Sequence, residues 1–299
     1  MLANWPLIAI RIVESFLFLI IVIGSVVATI LPIAVAAGFS KFDIRDRDNA
    51  AEAIASIVVS HWMLILYILA IITLLLIVLI AIHSFVEAGN AKIFVEAEHL
   101  AGTAMPASRE TYRTFTMDRW LQGGRHSWWS IFWIYNLAWS VGALIILVPL
   151  LMTIIGMFLV EEPAPKIAVG CGGLAISFII GIPVSVIVAI WTQKAIAVCV
   201  ARAATAGTAL KQAWTEISAD FGRHLAVAFI LFVITFGGAM VISMFTMPIS
   251  LLHQTSHAPP FVDIAFAPAR IVSSFLQSIF SAAVGLWFLA SFVGLTEER

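Results

Sequence analysis

Charge is what this chain has least of. Asp, Glu, Lys and Arg together make up 11% of 299 residues against 62% apolar ones, whereas a soluble domain carries about a quarter charged residues. So few polar side chains cannot coat a water-soluble particle, which excludes a soluble globular fold. The formal net charge of −1 leaves no basic stripe for a phosphate backbone, so nucleic acid is not expected as a partner. Cysteine is equally scarce. Cys171 and Cys199 form neither a CxxC pair nor a zinc spacing. On one helix they would stand about 40 Å apart, far outside disulfide reach, and they read as small packing residues.

Sequence signatures of chemistry are also missing. There is no Walker motif, no GxSxG elbow, no dinucleotide fingerprint and no HExxH. From the second apolar run to the sixth, the run interiors hold no Asp, Glu, Lys or Arg. Ionisable residues inside membrane spans mark proton relays and catalytic sites, so their absence argues against a proton-coupled transporter and an intramembrane aspartyl protease. His253 and His257 stand four apart, a spacing that chelates metal on a helix, but Pro259 and Pro260 follow and only Asp263 could add a ligand. Glu96, Glu98 and His99 have acid–base chemistry available but no accompanying nucleophile or phosphate-cradling loop. They read as a solvated helix face. No catalytic residue, cofactor or metal is expected.

What the chain does have is length of apolar run. Six runs, at about 6–38, 57–85, 128–160, 167–191, 225–252 and 271–295, each exceed the roughly 20 helical residues that cross a bilayer. They lack the alternation of barrel strands. The expected fold is therefore all-α: one polytopic transmembrane helical bundle over residues 1–299, with short interfacial helices in two cytoplasmic loops, 86–127 and 192–224. The first run, from Phe16, outlasts the about 7–15 residues of a signal-peptide core and reads as a retained span. Lys92, Arg109, Arg113, Arg119 and Arg125 follow the second run, and Lys194, Arg202, Lys211 and Arg223 follow the fourth. This bias exceeds that of the opposite loops and places both termini in the cytoplasm by the positive-inside rule.

The two inner loops echo each other. The first reads Ala101-Gly102-Thr103, then Trp120, then Gly124-Arg125-His126; the second reads Ala206-Gly207-Thr208, then Trp214, then Gly222-Arg223-His224. Each ends at a membrane span, as a parallel repeat of helix, loop and helix would. In the second loop Leu210, Trp214, Ile217 and Phe221 fall on one helical face, with Lys211, Glu216 and Asp220 away from it and Gly222 as a C-terminal stop. A poorer counterpart lies at 106–121, through Tyr112, Phe115 and Trp120. The stretch "GGRHSWW" (123–129) then reads as a doorway: glycine ends an interfacial helix, Arg125 meets lipid phosphate, and Trp128, Trp129 and Trp133 form an aromatic belt. Arg223 takes the same place in the second copy.

Within the spans, polar residues are few and regularly placed. Gly173, Ser177, Gly181 and Ser185 form a small-xxx-small stripe on the fourth, next to Pro183, and Ser274, Gln277, Ser278, Ser281 and Gly285 form a polar stripe on the sixth. Both read as surfaces for close helix packing, with a hydroxyl-lined solute path as the alternative. Asn136 and Ser140 share a face of the third span and read as packing residues. Arg11 and Glu14, three apart, allow a salt bridge on one helix face. Because 16–38 alone is long enough to span, both charges are expected at the inner headgroup boundary.

The passages "SFVEAGNAKIFVEAEHLAG" (84–102) and "ARAATAGTALKQAWTEISADFGRH" (201–224) resemble a broad group of uncharacterised bacterial six-helix membrane proteins. That group is similar in layout to the membrane part of glycerophosphodiester phosphodiesterases. The resemblance implies an integral protein of the bacterial cytoplasmic membrane; it implies no phosphodiesterase activity, because that soluble catalytic domain has no counterpart here. The expected function is non-enzymatic: a scaffold, accessory subunit or lipid-organising protein, with membrane lipid or another membrane protein as partner. The alternatives are a facilitator for a small neutral or amphipathic solute, and a membrane-surface enzyme using Glu96, Glu98, His99 or His126.

Overall fold

The computed structural model describes residues 2–37, 62–103, 110–160, 162–254 and 260–297. Among the described residues all regular structure is helical: a 3-10 turn at Leu2–Asn4, then α1 (Pro6–Ala37), α2 (Trp62–Thr103), α3 (Met117–Leu159), α4 (Pro163–Ala201), α5 (Ala206–Ala219), α6 (Phe221–Gln254) and α7 (Pro260–Glu297). Every helix but α5 carries a stretch long and apolar enough to cross a membrane. The chain is an all-α multi-pass membrane protein.

The helices outrun the apolar runs on one side, the side that carries residues 86–127 and 192–224. α2 continues to Thr103 instead of ending near Phe85, α3 begins at Met117 instead of near Trp128, and α4 reaches Ala201 instead of stopping at Trp191. At 42, 43 and 39 residues these helices are about 60 Å long, twice the ~30 Å hydrocarbon core. Loss of hydrophobicity does not end a helix. Ala, Glu and Lys after Phe85 are strong helix formers, and Thr116 caps α3 by accepting from the Arg119 amide at 3.3 Å, with Asp118 in the first turn. Of the short interfacial helix expected at 106–121, residues 117–121 form the start of α3, 110–116 are turn and extended chain, and 106–109 lie outside the described residues. In the second loop α5 is a separate helix, as expected.

Two compact units divide the chain, Val13–His83 and the remainder, Met1–Ile12 with Ser84–Arg299. In the smaller unit the Glu14 carboxylate meets His83 Nδ1 at 2.7 Å and Phe18 lies over the same imidazole. The larger unit holds one contiguous core, built from Val86, Ile93 and Phe94 of α2, Ile131 and Ile134 of α3, Ile190 to Cys199 of α4, Leu210 and Ile217 of α5, and Leu286 to Val293 of α7. Most of these residues lie in the helix extensions and in α5.

Within the larger unit, α3 and α4 pack as an antiparallel hairpin at glycines. A Cβ on Gly142 would lie 2.9 Å from Val188, one on Gly170 would lie 3.1 Å from Met157, and Gly173 sits directly against Thr153. The α4 stripe is thus a packing surface at Gly173 and Ser177, while Gly181 has only Ile146 at 3.9 Å and Ser185 is half-buried. α6 and α7 touch where Gly238 meets Phe280. Elsewhere the membrane halves bury little. Ile176, Phe178, Ile179 and Ile182 of α4 are exposed, as are Ile271, Val272, Phe275 and Leu276 of α7. The expected packing role of the α7 stripe is not met within the described chain: Ser274 and Ser281 are exposed, Ser278 is half-exposed with its hydroxyl turned to the Ser274 carbonyl, and nothing approaches Gly285.

Candidate functional site

Two places in the larger unit concentrate polar chemistry. The first is internal. Lys194, about two turns from the end of α4, is completely buried. Its ammonium finds the Leu295 carbonyl at 3.2 Å, the Thr296 hydroxyl at 2.9 Å and a Glu216 oxygen at 2.9 Å, acceptors enough for its three N–H donors. The other Glu216 oxygen takes Arg202 at 2.7 Å. Burial alone would raise the Glu216 carboxyl; hydrogen bonds and charge from Lys194 and Arg202 outweigh it and hold the group below its usual value. This one carboxylate fastens α5 to α4, and Lys194 fastens α4 to α7.

The neighbouring contacts have the same character. Arg11 pairs with the buried Glu87. Trp120 is buried and donates through Nε1 to Asn90 Oδ1 at 3.0 Å, over Gly89, where a Cβ would come within 2.5 Å of that nitrogen. Asn4 accepts from the Thr114 and Phe115 amides and donates to the Tyr112 carbonyl, which holds the chain leading into α3. Trp191 donates to the Leu210 carbonyl at 2.8 Å and lies edge-on to Trp214.

These contacts correct several sequence expectations. Arg11 and Glu14, expected as boundary charges, are both buried within the protein, and each has a partner on α2: Glu87 for Arg11, His83 for Glu14. Glu216, expected only to lie away from the apolar stripe, is a linchpin between Lys194 and Arg202. Trp214 is half-exposed at the rim of the stripe, which is completed by Ala209 and Ala213; Phe221 belongs to the next helix. Gly123 and Gly124 do not end a helix. They lie inside α3, where a Cβ would meet Lys92 at 2.5 Å and Phe85 at 2.7 Å. Gly222 is in the first turn of α6, and α5 closes two residues earlier at Asp220.

The echo between the loops is not a structural repeat. Ala101-Gly102-Thr103 ends α2, while Ala206-Gly207-Thr208 opens α5. His126 is exposed; His224 is buried, donating through Nδ1 to the Asp220 carbonyl at 2.8 Å and resting on Phe292.

The second place is external. Asp118, Leu121, Gln122, Arg125 and His126 line an open groove of about 660 Å³ along the start of α3. One turn on, Trp129 stacks on Phe132 with centroids 5.4 Å apart and meets Trp128 and Trp133 edge-on. Trp129 and Trp133 are exposed and Trp128 is half-buried, so the three indoles expected as an aromatic belt lie together on α3. Arg223 is exposed on the first turn of α6.

Other candidates disperse. Glu96 is shared between Lys92 at 3.3 Å and Arg119 at 3.5 Å, and His99 reaches Glu297 at 3.4 Å. Asn136 bonds the Phe132 carbonyl of its own helix and Ser140 is exposed. Among the described residues no three His, Cys, Asp or Glu converge as a metal site. His257 lies outside the described residues, and of His253 only the backbone is described. Comparison with protein-family models, with curated proteins and with solved structures finds no match to this chain.

What sequence reasoning missed is the internal network. Its signal was present: Lys194 is followed by Ala-Ile-Ala-Val-Cys-Val-Ala, an apolar run that continues the helix and carries the lysine inside it.

Proposed function

We propose that this protein is a non-enzymatic scaffold or accessory subunit of the bacterial cytoplasmic membrane, with both termini in the cytoplasm and another membrane protein as its partner. The observation that carries this reading is the division of packing along the helices. Even in the best-packed span of the larger unit, α7, 33% of the most apolar window is buried, and in α6 6% is. A fold tied together at one end leaves its apolar span faces for other helices. The polar stripe of Ser274, Ser281 and Gly285 on α7, exposed and small, suits the close approach of a second helix backbone. It does not support a closed solute path, since no element of the described chain stands opposite Gly285. The groove on α3 draws its polar groups from one face of one helix, which gives an enzymatic reading no convergent pocket.

The test is gentle purification from native membranes followed by mass spectrometry of what remains bound. Stoichiometric recovery of another membrane protein, lost on Gly285→Leu, is the expected result. A protein recovered with lipid alone overturns the reading.

A further inference from the structure

The exposed face of α3 changes chemistry along its length in a fixed order. Asp118, Gln122, Arg125, Trp129 and Trp133 follow one another at spacings of three and four, which puts them on one side of the helix. The same side continues into Leu137 and Leu144, also exposed. From the helix start it therefore presents an acid, an amide, a cation, two indoles and then an apolar track.

Membrane depth gives this order a meaning. Indoles settle at the headgroup–glycerol level, so Trp129 and Trp133 fix where α3 enters the bilayer. Arg125 and His126 stand one turn further out, at the level of lipid phosphates, with Gln122 another turn beyond and Asp118 a turn beyond that, where a headgroup ends. Arg11, Lys92, Arg119, Lys194 and Arg202 are engaged in ion pairs within the fold. Among the described residues none is formed by Arg125, His126 or Asp118, although all three border the same groove. The groove, at about 660 Å³, is within the range of about 300–1,000 Å³ of small-ligand sites.

We infer that this face binds one aminophospholipid, with its phosphate on Arg125 and His126, its amine toward Asp118 and Gln122, and its acyl chains along Trp129, Trp133 and the leucines below. The charge order selects the lipid class. A headgroup with phosphate inside and ammonium outside matches a cation inside and a carboxylate outside, whereas a headgroup that ends in uncharged hydroxyls offers Asp118 no counter-charge. This site does not depend on the scaffold reading, because its face is separate from the α7 stripe.

The test is native mass spectrometry of the detergent-solubilised full chain titrated with phosphatidylethanolamine or phosphatidylglycerol of matched acyl chains. The expected result is preferential retention of phosphatidylethanolamine, not displaced by excess inorganic phosphate. Arg125→Ala should weaken that retention about tenfold, the scale of one charged hydrogen bond. Asp118→Asn should abolish the preference while leaving phosphatidylglycerol retention in place. Both side chains are exposed, so both variants should keep the wild-type melting temperature. In liposomes, phosphatidylethanolamine brominated on its chains should quench tryptophan emission less when Trp129 and Trp133 are both Phe. Equal retention of the two lipids, unchanged retention in Arg125→Ala, displacement by inorganic phosphate, or cross-links from this face to a protein would each overturn the proposal.

Discussion

Removing the Glu216 carboxylate tests the internal network most directly. Glu216→Ala leaves Lys194, wholly buried, with the Leu295 carbonyl and the Thr296 hydroxyl but without its counter-charge at 2.9 Å. It also strips Arg202 of its partner at 2.7 Å. Breaking a buried ion pair by deleting one member typically costs about 3–5 kcal/mol, because the surviving charge stays desolvated. Deleting the lysine is different. Lys194→Met keeps a long flexible side chain in place, and Glu216 retains Arg202, which is more exposed and able to hold the carboxylate. That variant should lose about 1–2 kcal/mol, the scale of replacing a hydrogen-bonded group by an apolar one of similar shape. The double variant Lys194→Met/Glu216→Gln should be more stable than Glu216→Ala, since no charge is left stranded. Equilibrium unfolding in mild detergent gives the ranking. Indole emission includes a report on α5, since Trp191 and Trp214 meet across the α4–α5 contact. Equal losses for Glu216→Ala and Lys194→Met, or a double variant as unstable as Glu216→Ala, would refute the reasoning.

The remaining expectations follow from the same contacts. Glu216 has a lowered pKa, so the stability it contributes is fully present above its usual value of 4.5 and is lost as pH falls through its lower folded value; acid titration followed by Trp214 emission should show α5 loosening below about pH 4.5, and no change down to pH 3 would count against the pairing. Gly124→Ala must push aside Phe85, with a Cβ at 2.7 Å, and should destabilise by about 1–3 kcal/mol. Gly222→Ala, in open space on α6, should be neutral or stabilising by up to about 1 kcal/mol. Thermal melts of the two separate the packing glycine from the tolerant one, and a similar loss in both would restore the helix-stop reading. Ala203 holds φ 49° in the turn after α4, so Ala203→Gly should raise stability by about 1 kcal/mol, read in the same melts.

Apolar run length made the six spans legible, because the bilayer sets a length that composition reports directly. The helix ends were not legible from the same signal. Hydropathy falls at Ser84 and Glu87, yet helix propensity does not, and only a cap or a breaker stops a helix. Thr116 with Asp118 was such a mark for α3, hidden by the stronger aromatic signal at Trp128. The indole cluster itself was legible because Trp128, Trp129 and Trp133 are close in sequence on one helix. The core was not, since Glu87, Asn90, Lys194 and Glu216 are polar letters that become interior only through contacts far apart in the chain: Lys194 with Thr296, Arg11 with Glu87. The echo misled for the opposite reason. Gly-Arg-His recurs as letters, but Gly124 packs on Phe85 while Gly222 has open space around it.

The placement of the core has a physical cause that bears on function. Burying Ile93, Ile196, Leu210 and Ile217 in the helix extensions and α5 gains the full hydrophobic effect, about 25 cal/mol per Å² of apolar surface. Burying Phe178 or Phe275 between spans gains far less, because lipid chains already solvate them as well as another helix would. Stability therefore comes from the extensions and α5, where water supplies the driving force. The spans are released from that task. In them, glycine sites such as Gly142, Gly173 and Gly238 allow close approach and hold each hairpin together by shape. A protein built this way can exchange what lies against its spans, lipid on one face and a partner helix on another, without loosening the core that holds it together.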